Sequence, residues 1–89
     1  MTAAELRKRI TKSLLDEIGR VQYPSAGMLD RVEKTLEGRE ALADYVERLI
    51  EKVEGERFPS VSVLDRIDGL LARLEQVEQQ EKRRELNAA

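Results

Sequence analysis

The stretch TLEGREALADY, residues 35–45, decides how many helices the chain contains, because Gly38 can either end a helix or lie inside one. No Ser, Thr, Asp or Asn stands just after Gly38 to cap a new helix. Apolar residues keep helical spacing on both sides of it, with Arg39 as the exception, and a glycine within a helix costs only about 1 kcal/mol relative to alanine. We therefore predict one long middle helix over residues 26–54, or four helices if the chain reverses at Gly38.

Two similar phrases flank this stretch, YPSAGMLDR at residues 23–31 and FPSVSVLDR at residues 58–66. A proline pushes the residue before it out of the α region, and the serine that follows is a good N-cap for a new helix. Each phrase therefore predicts a corner between two helices, with the aromatic ring closing over it. The predicted corner residues are Tyr23, Pro24, Ser25, Phe58, Pro59 and Ser60.

The 35-residue offset between the phrases also relates weaker similarities before them, which favours an internal helix-corner-helix duplication. Apolar spacing predicts a first helix over residues 3–20 and a last one over 60–84, with the polar segment 78–89 as an exposed extension. Gly55 is expected to end the middle helix in the left-handed conformation. Together these elements predict a single all-α domain over residues 1–89, an antiparallel up-down-up three-helix bundle with a long middle helix.

The composition excludes most kinds of reactive site. The 89 residues include no cysteine and no histidine, which removes disulfides, thiolate or imidazole metal sites and the commonest nucleophiles and proton carriers. The carboxylates stand mostly at solvent-facing helix positions with Lys or Arg nearby, as on an ordinary helix surface. We therefore expect no enzyme activity, no cofactor, no metal and no small-molecule substrate.

The location of the protein is predicted from the lack of apolar segments. The start, MTAAELRKRITKSLL, has no apolar run like that of a signal peptide, and no stretch approaches the roughly 18 apolar residues of a membrane span. We expect a soluble cytoplasmic protein with no membrane partner.

The charges of the chain disfavour nucleic acid as its ligand. The net charge of −2 is spread as +2 over residues 1–20, −3 over 21–58 and −1 over 59–89. The helices that follow Ser25 and Ser60 carry acidic as well as basic side chains, so that phosphate would be repelled as much as attracted.

Three residues, Leu42, Tyr45 and Leu49, widen the apolar stripe of the predicted middle helix beyond what one neighbouring helix would cover. They could serve the first and last helices together, or a second copy of the chain. We predict these side chains as anchors of an interface with another protein or with the chain itself, as a homodimer.

The arginines of the two LDR sequences, Arg31 and Arg66, have no acidic residue one turn away on their own helices. We predict that each pairs across its corner, Arg31 with Asp16 or Glu17, and Arg66 with Glu51 or Glu54. The alternatives are an exposed charge without a specific role and a contact with a partner protein, for which both arginines are candidate interface residues.

These expectations favour a protein whose function is to present a surface. We predict a small non-enzymatic helical module for protein–protein interaction, a scaffold or adaptor that can self-associate. The alternative is a small regulator or inhibitor of a nucleic-acid-handling enzyme or complex, acting through its mixed acidic surface.

Overall fold

The chain folds as four helices in the computed structural model, which describes residues 1–21 and 24–88. The helices are α1 (Ala3–Arg20), α2 (Ala26–Thr35), α3 (Gly38–Glu54) and α4 (Val61–Ala88), and the described residues contain no strand. The chain divides into two compact units, Met1–Glu37 and Gly38–Ala89. In the first unit α1 packs against α2, and in the second α3 packs against α4. The all-α prediction is confirmed, with the helix count of the four-helix alternative.

The predicted middle helix over residues 26–54 is wrong, because the chain leaves the helical conformation between Thr35 and Gly38. Leu36 is extended, with a ψ of 124°, and Gly38 has a φ of 82°. A φ in this left-handed region is accessible to glycine at little cost but is incompatible with a continuing right-handed helix. The chain therefore has two separate helices here, and the three-helix arrangement that required a long middle helix does not form.

In the first unit, polar interactions connect α1 to the C-terminal end of α2. Thr11 is buried, and its hydroxyl donates a hydrogen bond to the carbonyl oxygen of Thr35 at 3.3 Å. That carbonyl lies in the last turn of α2, where no helical N–H remains to donate to it. Arg7 forms an ion pair with Glu37 at 3.0 Å. The buried apolar side chains of this unit are Leu15, Ile18, Leu29, Val32 and Leu36.

A serine stands at the start of the second helix of each unit. Ser25 is the N-cap residue of α2, and its hydroxyl accepts a hydrogen bond from the Met28 backbone N–H at 3.1 Å. The Ser60 hydroxyl accepts a longer one from the Val63 N–H at 3.5 Å. Each bond satisfies one of the four N–H groups that lack a carbonyl partner at a helix start.

The aromatic residues of the two corners differ from the prediction or lie outside the described part of the chain. Phe58 is 85% exposed, and the Arg57 guanidinium carbon lies 5.7 Å from its ring centroid. The Phe58 ring thus faces solvent beside a cation instead of closing over the corner. Pro24 and Pro59 are half-buried. Tyr23, predicted to close the first corner, lies outside the described residues.

The second unit contains the longest helix of the chain. α4 has 28 residues and is about 42 Å long at 1.5 Å per residue. The predicted polar extension is helical as far as Ala88, and residues 78–88 are all exposed. Gly55, after α3, does not have the predicted left-handed conformation; among the described residues Gly38 alone has a positive φ. The buried apolar side chains of this unit are Leu42, Tyr45, Val46, Leu49, Ile67 and Leu70.

We expect Gly38→Ala to lower the free energy of unfolding by about 1–2 kcal/mol, because alanine is strained at a φ of 82°. Gly69→Ala is the matched control: Gly69 lies inside α4, and an added Cβ would meet nothing within 4 Å. The control should raise the stability by about 1 kcal/mol. Urea unfolding followed by circular dichroism measures both. Equal stabilisation by the two substitutions would mean that residue 38 lies inside a continuous helix.

Candidate functional site

The ion pairs of the described residues lie on the surface of the helices. Besides Arg7 and Glu37, Arg20 pairs with Glu17 at 2.8 Å, and Arg39 approaches Glu78 at 3.9 Å. Exposed pairs of this kind contribute about 0–1 kcal/mol each. Among residues 1–21 and 24–88, no three acidic side chains are grouped so that they could hold a metal ion, and no helix there has the length and apolar character to cross a membrane.

The predicted interface anchors lie in the core of the chain. Leu42, Tyr45 and Leu49 are each no more than 1% exposed. The wide apolar stripe of α3 is thus already covered within the chain, and these three side chains have no exposed area left for a partner. Leu42, Tyr45 and Leu49 are core residues of the chain.

The two arginines of the LDR sequences differ in their environment. Arg66 is half-buried, whereas Arg31 is exposed. Among the described residues Arg31 makes no ion pair, and Glu17, one of its predicted partners, pairs with Arg20 instead. The predicted bridge from Arg31 to Asp16 or Glu17 is therefore wrong, and Arg31 is a cation that a partner could contact.

The first half of α4 carries an exposed apolar surface, which we call the α4 stripe. It consists of Val61, Leu64 and Leu71, which are 71%, 39% and 36% exposed. Their spacings of three and seven residues place them along one side of the helix. The buried side chains Ile67 and Leu70 lie beside this stripe, so that α4 is apolar well beyond the face that it packs against α3.

The first half of α1 carries a smaller exposed surface, the α1 stripe. It consists of Leu6 and Ile10, one turn apart and 47% and 56% exposed. From the sequence, both belong to the stripe that was expected to pack, but only its second half, with Leu15 and Ile18, is buried. Part of the apolar face of α1 is therefore left uncovered.

Charged residues of opposite sign lie next to the two stripes. Asp68 lies between Leu64 and Leu71 on the α4 stripe, and Glu75 lies one turn after Leu71. On α1, Arg9 stands three residues after the first residue of the stripe. None of these three charged side chains forms an ion pair within the described residues. The α4 stripe thus has an acidic setting and the α1 stripe a basic one.

The sequence contained a partial signal for the α4 stripe. Between Val63 and Val77 the predicted packing face has seven apolar residues, more than one partner helix covers. Helical spacing alone does not separate its buried members from Leu64 and Leu71, which the structure leaves exposed.

Comparison with protein-family models, with curated proteins and with solved structures found no match for this chain.

Replacing leucine by alanine should cost more stability at the buried residue 42 than at the exposed residue 64. We expect Leu42→Ala to lower the free energy of unfolding by about 2–5 kcal/mol, because it leaves a cavity at a buried site. Leu64→Ala removes the same atoms from a partly exposed side chain and should cost less than about 1 kcal/mol. Both are measured by urea unfolding. Similar losses for the two variants would show that Leu64 belongs to the core.

Proposed function

We propose that this chain is a non-enzymatic helical module that binds another protein, as a scaffold or adaptor. The α4 stripe carries the proposal, because it combines exposed leucine and valine side chains with acidic residues that no cation in the described chain neutralises. Apolar surface rimmed by polar residues is characteristic of sites where proteins bind each other. Burial of apolar surface is the dominant favourable term in most protein association.

The binding mode follows from the helical spacing of the stripe. A helix that presents side chains at positions i, i+3 and i+10 on one side docks that side against a groove or a second helix. Leu64 and Leu71 would supply apolar contacts, and Asp68 between them would set the orientation by meeting a cation of the partner. Arg31, exposed and without an ion pair in the described chain, is a further position for a contact with an acidic group.

The two units are further proposed to derive from one duplicated helix-corner-helix unit. Two pairs of helix starts support this: α1 and α3 begin 35 residues apart, at residues 3 and 38, and α2 and α4 do so at residues 26 and 61. The serines before α2 and α4 have the same offset. A duplicated module is a common origin of proteins that stack repeated helix pairs.

The second function considered from the sequence, regulation of a nucleic-acid-handling enzyme, would also use a protein-binding surface. It differs in the identity of the partner, which no described residue specifies. Direct binding of nucleic acid is not proposed, because Asp68 and Glu75 at the α4 stripe would repel phosphate.

A photoreactive amino acid placed at residue 64 tests the proposal in the native host. We expect the full chain with Leu64 replaced to yield covalent adducts with protein on illumination, at least several times more than a control with Arg73 replaced. Arg73 is exposed and lies nine residues further, two and a half turns along α4, so its side chain points to the opposite side. Equal or negligible yields at the two positions would contradict the proposal, and adducts removed by nuclease would indicate nucleic acid instead.

A further inference from the structure

We propose that the α4 stripe of one chain binds the α1 stripe of a second copy, so that chains associate head to tail. This inference rests on the proposed function and specifies its partner. It assigns different surfaces to the two sides of one contact, unlike a symmetric dimer, in which both copies use the same surface.

Two of the three residues of the α4 stripe correspond, at the 35-residue offset, to leucines that this chain buries. Leu64 corresponds to Leu29, and Leu71 corresponds to Leu36. Both leucines of the earlier pair are buried, whereas both of the later pair are exposed. Leu64 and Leu71 thus repeat two apolar positions whose first copies are covered, whereas Val61 and its counterpart Ala26 are both exposed.

For the α1 stripe, the exposed residues belong to the earlier sequence copy and their covered counterparts to the later one. Ile10 corresponds to Tyr45, which is fully buried, and Leu6 corresponds to Ala41, which is half-buried. Here the later copy of the pattern is covered and the earlier copy is exposed. The exposed leucines and isoleucine therefore lie on α1 and α4, and their buried or half-buried counterparts lie on α2 and α3 or, for Leu36, directly after α2.

Helical repeat proteins provide the physical reason for a further copy. Each repeat leaves an apolar face that a neighbouring repeat covers. In this chain Leu6 and Ile10 on α1 and the α4 stripe are exposed apolar surfaces of this kind. A second copy that brings its α1 to the free α4 would cover both surfaces in one contact.

Charge favours this pairing over pairing of like surfaces. The helix α1 carries five basic and three acidic residues, a net charge of +2, and residues 61–78 of α4 carry two basic and four acidic residues, a net charge of −2. In a symmetric contact, Asp68 and Glu75 of one copy would face the same acidic residues of the other. In the head-to-tail contact they face a helix that contributes Arg9.

Two variants that each lose one stripe test the inference by complementation. Leu6→Ser with Ile10→Ser removes the α1 stripe, and Leu64→Ser with Leu71→Ser removes the α4 stripe. We expect the unaltered chain to rise in mass above 10.2 kDa as its concentration increases, and each variant alone to stay monomeric. An equimolar mixture of the two should form a 1:1 complex that does not grow further, because each variant keeps one intact stripe. Light scattering after size-exclusion chromatography gives the masses, and circular dichroism shows that each variant is helical.

Other results of this experiment would overturn the inference. Association of the α1 variant alone would indicate a symmetric contact through α4. A chain that stays monomeric at every concentration would rule out self-association; adducts with a different protein at residue 64 would then leave the proposed function standing, and their absence would remove both. Leu86→Ser is the control, since Leu86 is exposed but outside both stripes, and it should behave as the unaltered chain does.

A cross-linking measurement covers the case in which a double variant fails to fold. The chain has no cysteine of its own, so Ile10→Cys and Leu64→Cys each introduce one defined thiol. A bismaleimide should join the two different single variants several times faster than it joins either variant to itself. We expect the yield to fall severalfold between about 0.05 M and about 0.5 M salt, because salt screens the opposite charges of the two helices. Equal rates for like and unlike pairs would contradict head-to-tail contact.

Discussion

The left-handed backbone of Gly38 is the constraint on which the rest of the structure depends. With a φ of 82° at this residue and an extended Leu36 before it, α2 ends after 10 residues and α3 begins. A helix running unbroken over residues 26–54 would be a rod of about 44 Å that belonged to no single unit. Because the chain breaks at Gly38, each unit has two helices joined by its own copy of the proline-serine corner, and each of the two stripes lies on a different unit.

The starts of α1, α2 and α4 could be predicted from the sequence, whereas the break at Gly38, where α3 begins, could not be predicted from capping rules. Residues 3–20 match α1, and the serine at each corner marks where α2 and α4 begin. At Gly38 we looked for a capping side chain, but the break is made by a backbone conformation that only glycine adopts readily. The penalty of about 1 kcal/mol for a glycine inside a helix is too small to decide the question. The repeat itself held the missing signal, since an offset of 35 residues from the start of α1 falls on residue 38.

The candidate site was harder to predict because the same local pattern is buried in one unit and exposed in the other. Leu29 and Leu64 both stand four residues after a capping serine, yet only the first is buried. The width of the apolar stripe of α3 was correctly recognised, but width does not show what covers a stripe. For Leu42, Tyr45 and Leu49 the answer is the chain itself. Which apolar residues are covered is a property of tertiary packing, and helical spacing does not contain it.

In the proposed head-to-tail contact, the charges and the apolar residues of the two stripes act at different stages of association. Opposite net charges on α1 and on the first part of α4 raise the rate of encounter and reject like pairings, but they contribute little to affinity in salt. The apolar side chains supply the affinity, and the free energy of burying them does not depend on the sign of the charges beside them. A contact made by the charges alone would dissociate at physiological ionic strength. A contact made by the leucines and valine alone would bind α1 and α4 of a second copy equally well. Head-to-tail specificity therefore requires charged and apolar residues on the same side of each helix. On α1, Arg9 stands close to Leu6, and on α4, Asp68 lies between Leu64 and Leu71.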